Sequence, residues 1–123
     1  RAFVQSLDKS VILCGDFNVA RDFIDVYPTH LRNDPDPPGS QSSEREGMER
    51  LLALGLIDVF RTLHPQAEGA YTWWPLRLHK RLENRGWRLD YFLLSEALMP
   101  MLQDITHHTD ILASDHRPIS LTR

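Results

Sequence analysis

The sequence holds one cysteine, Cys14, among 123 residues. A single thiol cannot build a disulfide framework, and its place in the apolar run Val11-Ile12-Leu13-Cys14 fits a reducing compartment. No cysteine and histidine spacing suggests zinc, and no serine or cysteine has a convincing base beside it. Long hydrophobic runs are missing as well. Nothing approaches the roughly 20 apolar residues of a spanning helix, and no basic start leads into the apolar core of a signal peptide. An excess of positive charge is also lacking, since the formal net charge is -3. Position 1 is Arg1 rather than methionine. The expectation is therefore a processed N-terminus or a piece of a longer chain.

What is present is ordinary globular composition, 41% hydrophobic and 25% charged, at a length that suits one compact unit. Residues 1–123 read as a single α/β unit. The net charge hides an uneven distribution. Acids crowd the stretch from Asp16 to Glu46, whereas Arg77, Lys80, Arg81, Arg85 and Arg88 face Glu83 alone between Arg77 and Arg88. One region suits cations and the other phosphates.

Val11-Ile12-Leu13-Cys14 reads as a strand buried on both faces, stopping in Gly15-Asp16-Phe17-Asn18. Asp16 and Asn18 then share one side at the mouth of a sheet, where open α/β proteins place their sites. The alternative is a plain turn in which Asn18 caps a following helix. Residues Ala2 to Leu7 read as the end of a helix, and Val19 to Ser43, rich in proline and serine, as a long polar loop. A helix is predicted to open at Ser42 or Ser43, where Ser43-Glu44-Arg45-Glu46 matches a capping box. Met48, Leu51 and Leu52 supply its apolar stripe, and Gly55 ends it.

Leu56 to Phe60 and a helical turn to Leu63 lead to the stop His64-Pro65. Tyr71-Thr72-Trp73-Trp74 reads as a short strand ended by Pro75, followed by a basic loop. Trp87 to Leu94 alternates and then becomes continuously apolar, as a strand entering the core would. A brief helix at Ser95 to Met99, a strand within Leu102 to Thr109, a polar loop at Ser114 to Arg117 and a strand at Pro118 to Leu121 complete the chain.

Three polar clusters interrupt the apolar strands: Asp16 with Asn18, Arg88 with Asp90, and Asp115 with His116. Asp90 lies between Leu89 and Tyr91-Phe92, so it needs a partner against desolvation. A histidine would be a useful one, because a carboxylate on one ring nitrogen fixes the tautomer and aims the other nitrogen. A structural ion pair with Arg88 or Arg85 is the alternative, and His116 taken alone reads as a structural histidine. Carboxylates and an amide without thiolates favour a hard, oxygen-seeking ion such as magnesium (Mg2+), with Mn2+ as a substitute. Such an ion works on phosphates. The basic segment can hold phosphates while Trp73, Trp74 or Trp87 stack on nucleotide parts, although core packing accounts equally well for any one tryptophan.

The motifs Gly15-Asp16-Phe17-Asn18, Tyr71-Thr72-Trp73-Trp74, Asn84 to Ser95 and Ser114-Asp115-His116, in that order, resemble those of the exonuclease III class of apurinic/apyrimidinic endonucleases. This is the DNA-repair branch of the endonuclease/exonuclease/phosphatase superfamily. The resemblance implies that Asp16, helped by Asn18, positions or deprotonates the attacking water, and that Asp90 orients His116 at the scissile phosphate. It implies that Asp115 belongs to the magnesium site with Asp16 and Asn18, and that Trp73, Trp87 and Leu89 build an apolar pocket for a flipped-out abasic sugar. Extruding such a nucleotide forfeits little stacking. Arg77, Arg85 and Arg88 are the accompanying substrate-binding candidates.

Family members run to roughly twice this length. Their first half supplies an asparagine motif, a metal-binding glutamate and a catalytic tyrosine that have no counterpart here. The resemblance therefore implies half of a two-sheet α/β sandwich, with one mixed, mostly antiparallel sheet and flanking helices. The expected activity is magnesium-dependent cleavage of the DNA backbone 5′ to abasic sites, with 3′-5′ exonuclease or 3′ trimming as companion chemistry. Alternatives are a non-catalytic half-domain that binds DNA or a partner protein, and a superfamily enzyme acting on another phosphodiester. Expected partners are DNA containing abasic sites and either the N-terminal half or a self-associating copy, with no membrane. The expected location is inside the cell with the genome, in a nucleus or a bacterial or archaeal cytoplasm.

Overall fold

The computed structural model describes residues 10–75, 81, 83–111 and 114–122. The helix expected at Ala2 to Leu7 and the basic residues Arg77 and Lys80 lie outside the described residues. The elements are β1 (Ile12–Asp16), a 3-10 turn (Phe23–Asp25), α1 (Pro28–Asn33), α2 (Ser42–Leu52), β2 (Leu56–Asp58), α3 (Val59–Leu63), β3 (Asp90–Ser95), a 3-10 segment (Glu96–Met101), β4 (Asp104–His107) and β5 (Ile119–Thr122). Among the described residues no helix is long and apolar enough to cross a membrane.

The mixed α/β organisation and antiparallel pairing are as expected, with the described strands divided between two sheets. β3 is the centre of the first, ordered β1-β3-β2, and β4 pairs with β5 in the second. The 3-10 segment after β3, which contains Pro100, carries the chain from one sheet to the other. β3 is central because its apolar run supplies both faces: Tyr91 and Leu93 enter one core and Leu94 the other. The first core is closed by Met48, Leu51 and Leu52 of α2, the second by Val59 and Phe60 of α3 with Ile105 of β4. Burying a side chain such as Met48, 2% exposed, stabilises by about 1.5–3 kcal/mol. A third cluster joins Ala20, Val26 and Leu89 to Trp73 and Trp87 and lies next to the polar residues considered below.

Several sequence expectations change. Among the described residues β1 is an edge strand, and it is not buried on both faces: Ile12 is 57% exposed and Cys14 is exposed. Leu13 packs inward with Val11, while Ile12 and Cys14 share the face of Leu94 and Phe92. The cover over that face does not extend as far as β1 among the described residues. An apolar run reveals a strand but not how far its neighbours reach. The polar loop from Val19 to Ser43 also contains the 3-10 turn and α1, which Pro28 opens at a position where its missing N–H costs nothing.

α2 opens at Ser42 as predicted, but the capping partner lies upstream. The Glu44 carboxylate accepts from the amides of Gln41 and Gly39, both at 3.0 Å. Tyr71 to Trp74 forms no regular strand. Trp73 instead makes single bridges to Trp87 and His116. Gly86 allows this approach, because a Cβ there would sit 2.6 Å from the Trp73 carbonyl oxygen and 2.5 Å from Trp74 Nε1.

Candidate active site

Register brings the first two carboxylates together. β1 and β3 pair antiparallel with Asp16 opposite Asp90, so both side chains leave the same face at the end of the sheet. Beyond Asp16, Asn18 adopts a left-handed backbone with φ of 55°, and its amide donates to Asp16 Oδ1 at 2.7 Å. The strand thus ends in a side-chain-stabilised turn, and Asn18 does not cap a helix.

His116 reaches the pair from the loop before β5. Its Nδ1 is placed to donate to Asp90 Oδ2 at 2.9 Å, and its Nε2 lies 3.7 Å from Asp16 Oδ2. Partial burial would lower the His116 pKa, but the Asp90 hydrogen bond and the charges of Asp90, Asp16 and Asp115 outweigh it and raise the pKa above 6.5. Asp115 has a different partner. Its Oδ2 accepts from Trp73 Nε1 at 3.0 Å, a bond that holds its pKa below the usual carboxylate value. Asp90 therefore takes the histidine as its partner, and the alternative pairing with Arg88 or Arg85 does not form.

Thr72, fully buried, is the clamp that sequence reasoning missed. Its hydroxyl oxygen accepts from the amides of Leu89 and Asp90 at 2.9 and 3.0 Å, and its carbonyl accepts from the amide of Arg117 at 2.6 Å. One residue thus fixes both the start of β3 and the residue after His116. Nothing in the sequence distinguishes this threonine from the rest of an aromatic segment.

Arg88 is corrected as a substrate contact. It is 0% exposed, and its guanidinium is spent on Asp25 and Asp58 in four hydrogen bonds of 2.6–3.0 Å. Arg61 adds a further bond to Asp25 at 2.5 Å. Burial alone would raise the Asp25 pKa, but Arg88 and Arg61 hold it below the usual value. Asp25 and Asp58 were missed although they carry the same signal as Asp90, a lone acid between apolar residues.

Trp73, Trp87 and Leu89 line a cavity of about 340 Å3 together with Asn18 and His116. The two indoles lie 5.3 Å apart, and the His30 ring stacks on Trp87 at 4.0 Å. Of the basic residues, Arg85 pairs with Glu83 at 2.6 Å. Arg81 donates to the carbonyls of Ser114 and Ile111 at 2.6 and 2.8 Å, bracing the loop that carries His116.

Asp16, Asn18 and Asp115 offer oxygen donors of the kind magnesium prefers. Among the described residues, however, no three histidines, cysteines or acids gather closely enough to hold a metal ion. The donors fit in kind and form only part of a shell. The arrangement orients a histidine between two carboxylates that favour its protonated form, at the rim of an apolar cavity.

A family model described as the Endonuclease/Exonuclease/phosphatase family matches residues 1–116. The exodeoxyribonuclease of Bacillus subtilis (strain 168) is 43% identical over 123 residues, covering 98% of this chain and 48% of that protein. The DNA repair nuclease APEX1 of Danio rerio is also 43% identical, over 98% of this chain and 39% of that protein. Among solved structures, the AP endonuclease LMAP from Leishmania major superposes with a TM-score of 0.83 at 33% identity, covering 89% of this chain and 34% of that one. The chain thus spans less than half the length of these relatives. By sequence along nearly its whole length and by its fold, this chain belongs to the Endonuclease/Exonuclease/phosphatase family.

Proposed function

We propose that this chain carries the histidine-bearing part of a magnesium-dependent DNA repair phosphodiesterase that cuts the backbone 5′ to abasic sites, with 3′ trimming as a companion activity. The observation that supports this best is the Asp90–His116–Asp16 constellation at the mouth of the cavity formed by Trp73, Trp87 and Leu89. Magnesium, when bound, would neutralise charge on the phosphate, and Asp16, Asn18 and Asp115 would be its ligands from this chain.

The protein's own residues do the rest. Asp16 accepts a hydrogen bond or proton from the water that attacks phosphorus. His116, whose protonated form Asp90 favours, donates to a non-bridging phosphate oxygen where charge builds in the transition state. Trp73, Trp87 and Leu89 receive the baseless sugar and exclude water from it. A DNA substrate places the protein with the genome.

A second reading, a half-domain that binds DNA without cutting it, is supported for the isolated chain by the lack, among the described residues, of three acids, histidines or cysteines grouped closely enough to hold a metal. Incision of a synthetic abasic duplex, with and without magnesium and with and without a supplied N-terminal half, separates the two. The expected result is negligible incision by the chain alone and magnesium-dependent incision once the halves are combined. Robust incision by the chain alone, abolished by Asp16→Asn, would overturn the partial-site reading. No incision by the combined halves would overturn the catalytic one.

A further inference from the structure

The cavity at His116 has a neighbour of about 360 Å3, lined in part by His30 and Asn33 of α1 and by Asp34 just after it. The two share Pro38, Trp73 and Trp87, so these residues form the partition between them. His30 lines the neighbour and not the cavity at His116. It acts on that cavity through Trp87.

Hydrogen bonds fix the planes of the other two tryptophans. Trp73 Nε1 donates to Asp115 at 3.0 Å and Trp74 Nε1 to Asn84 at 3.2 Å. Trp87 Nε1 is buried yet has no hydrogen-bond partner among the described residues, so packing alone sets the plane of its ring. Gly39 leaves room for a Cβ 3.7 Å from that nitrogen, which gives the ring space to turn. The contact that opposes turning is His30, stacked on Trp87 at 4.0 Å with the two planes 9° apart. His30 is itself anchored: its Nε2 donates to the Arg85 carbonyl at 3.1 Å, and its ring meets Tyr27 edge-on at 5.7 Å. The Tyr27 amide donates in turn to the Gly86 carbonyl at 3.0 Å, so this segment is tied to both residues before Trp87.

We propose that His30 is a positioning residue that holds the Trp87 indole in place as the wall of the sugar pocket, and thereby sharpens the preference for a baseless nucleotide. The inference rests on the abasic-site reading given above. With Trp87 held, a base is denied the neighbouring space. With Trp87 free to turn, the two cavities join and a base-bearing nucleotide gains room. Extruding such a nucleotide still costs stacking, so the wall adds to a discrimination that the DNA itself provides.

The test measures affinity for abasic and intact duplexes without magnesium, on the chain combined with a supplied N-terminal half, so that binding is read apart from incision. The parent protein should prefer the abasic duplex. His30→Ala should reduce that preference about tenfold, within the range that a changed wall gives in an apolar pocket. His30 is half-buried, so the substitution spares the core. His30→Phe keeps a flat ring without the Arg85 bond and should restore the preference, whereas His30→Gln keeps a donor without the ring and should not. An unchanged preference in His30→Ala, failure of His30→Phe to restore it, or full restoration by His30→Gln would overturn the proposal, as would a parent protein with no preference. A parent protein that binds the abasic duplex selectively but incises nothing when magnesium is added would overturn the proposed activity and leave the role of His30 standing.

Discussion

Asp16 and Asp90 stand directly opposite one another across β1 and β3, yet they address opposite nitrogens of one imidazole. Like charges facing each other across a strand pair repel. His116 between them converts that repulsion into a preference for its own protonated form. The sheet register therefore sets the electrostatics of the site before any ligand arrives.

Removing either end of this arrangement should affect turnover far more than binding. In a complete enzyme, Asp16→Asn or His116→Ala should lower kcat by about 10²-fold or more with KM nearly unchanged, because both groups act mainly on the transition state. Steady-state kinetics on an abasic duplex checks this. Near-normal kcat in either variant would remove that residue from the chemistry.

The pH dependence follows from the raised His116 pKa. Activity that needs the imidazolium should fall as pH rises through that pKa, and Asp90→Asn should move the fall to lower pH by removing the hydrogen bond and charge that sustain it. The same sign governs stability. The His116 contribution is fully present below its unfolded value near 6.5 and is lost as pH rises through the folded pKa. A pH–rate profile and ring-proton titration of the two proteins read out both effects.

The basic residues should separate into two kinds. Neutralising Arg77 or Arg85 should weaken binding about equally for intact and abasic duplexes and flatten its salt dependence. Arg81→Ala should instead lower turnover, since its guanidinium holds the Ser114 carbonyl two residues before His116. Binding measured across a salt series distinguishes them, and an unchanged slope for Arg77 and Arg85 would return both to solvated surface.

Arg88→Met should destabilise the fold by about 3 kcal/mol, because it removes four hydrogen bonds from buried Asp25 and Asp58 and leaves them only Arg61 and Arg21 as cationic partners. Urea unfolding at neutral pH measures it. The loss should shrink in acid, where Asp25 of the parent protein is itself protonated as pH falls through its depressed pKa.

Much of this site was legible because its residues break apolar patterns. Asp90 inside Leu89-Asp90-Tyr91-Phe92 demanded a partner, and His116 is the partner the structure supplies. The same reasoning, applied to Asp25 and Asp58, would have found the Arg88 pair, and without it Arg88 read as a substrate-binding cation. Sequence could not show that β1 lies at an edge, because four apolar residues look alike whether one face or two are covered. It could not show the capping shift either, since Ser42 and Ser43 both offer a start, whereas the observed cap is Gln41, whose amide donates to Glu44.

Thr72 carries a kinetic consequence. The amides of Leu89 and Asp90 end on its hydroxyl and that of Arg117 on its carbonyl, so a displacement of Thr72 itself breaks all three bonds together. A motion that begins there loosens both halves of the Asp90–His116 pair at once, whereas an opening that begins in the Arg117 loop frees the histidine and leaves the strand end in place.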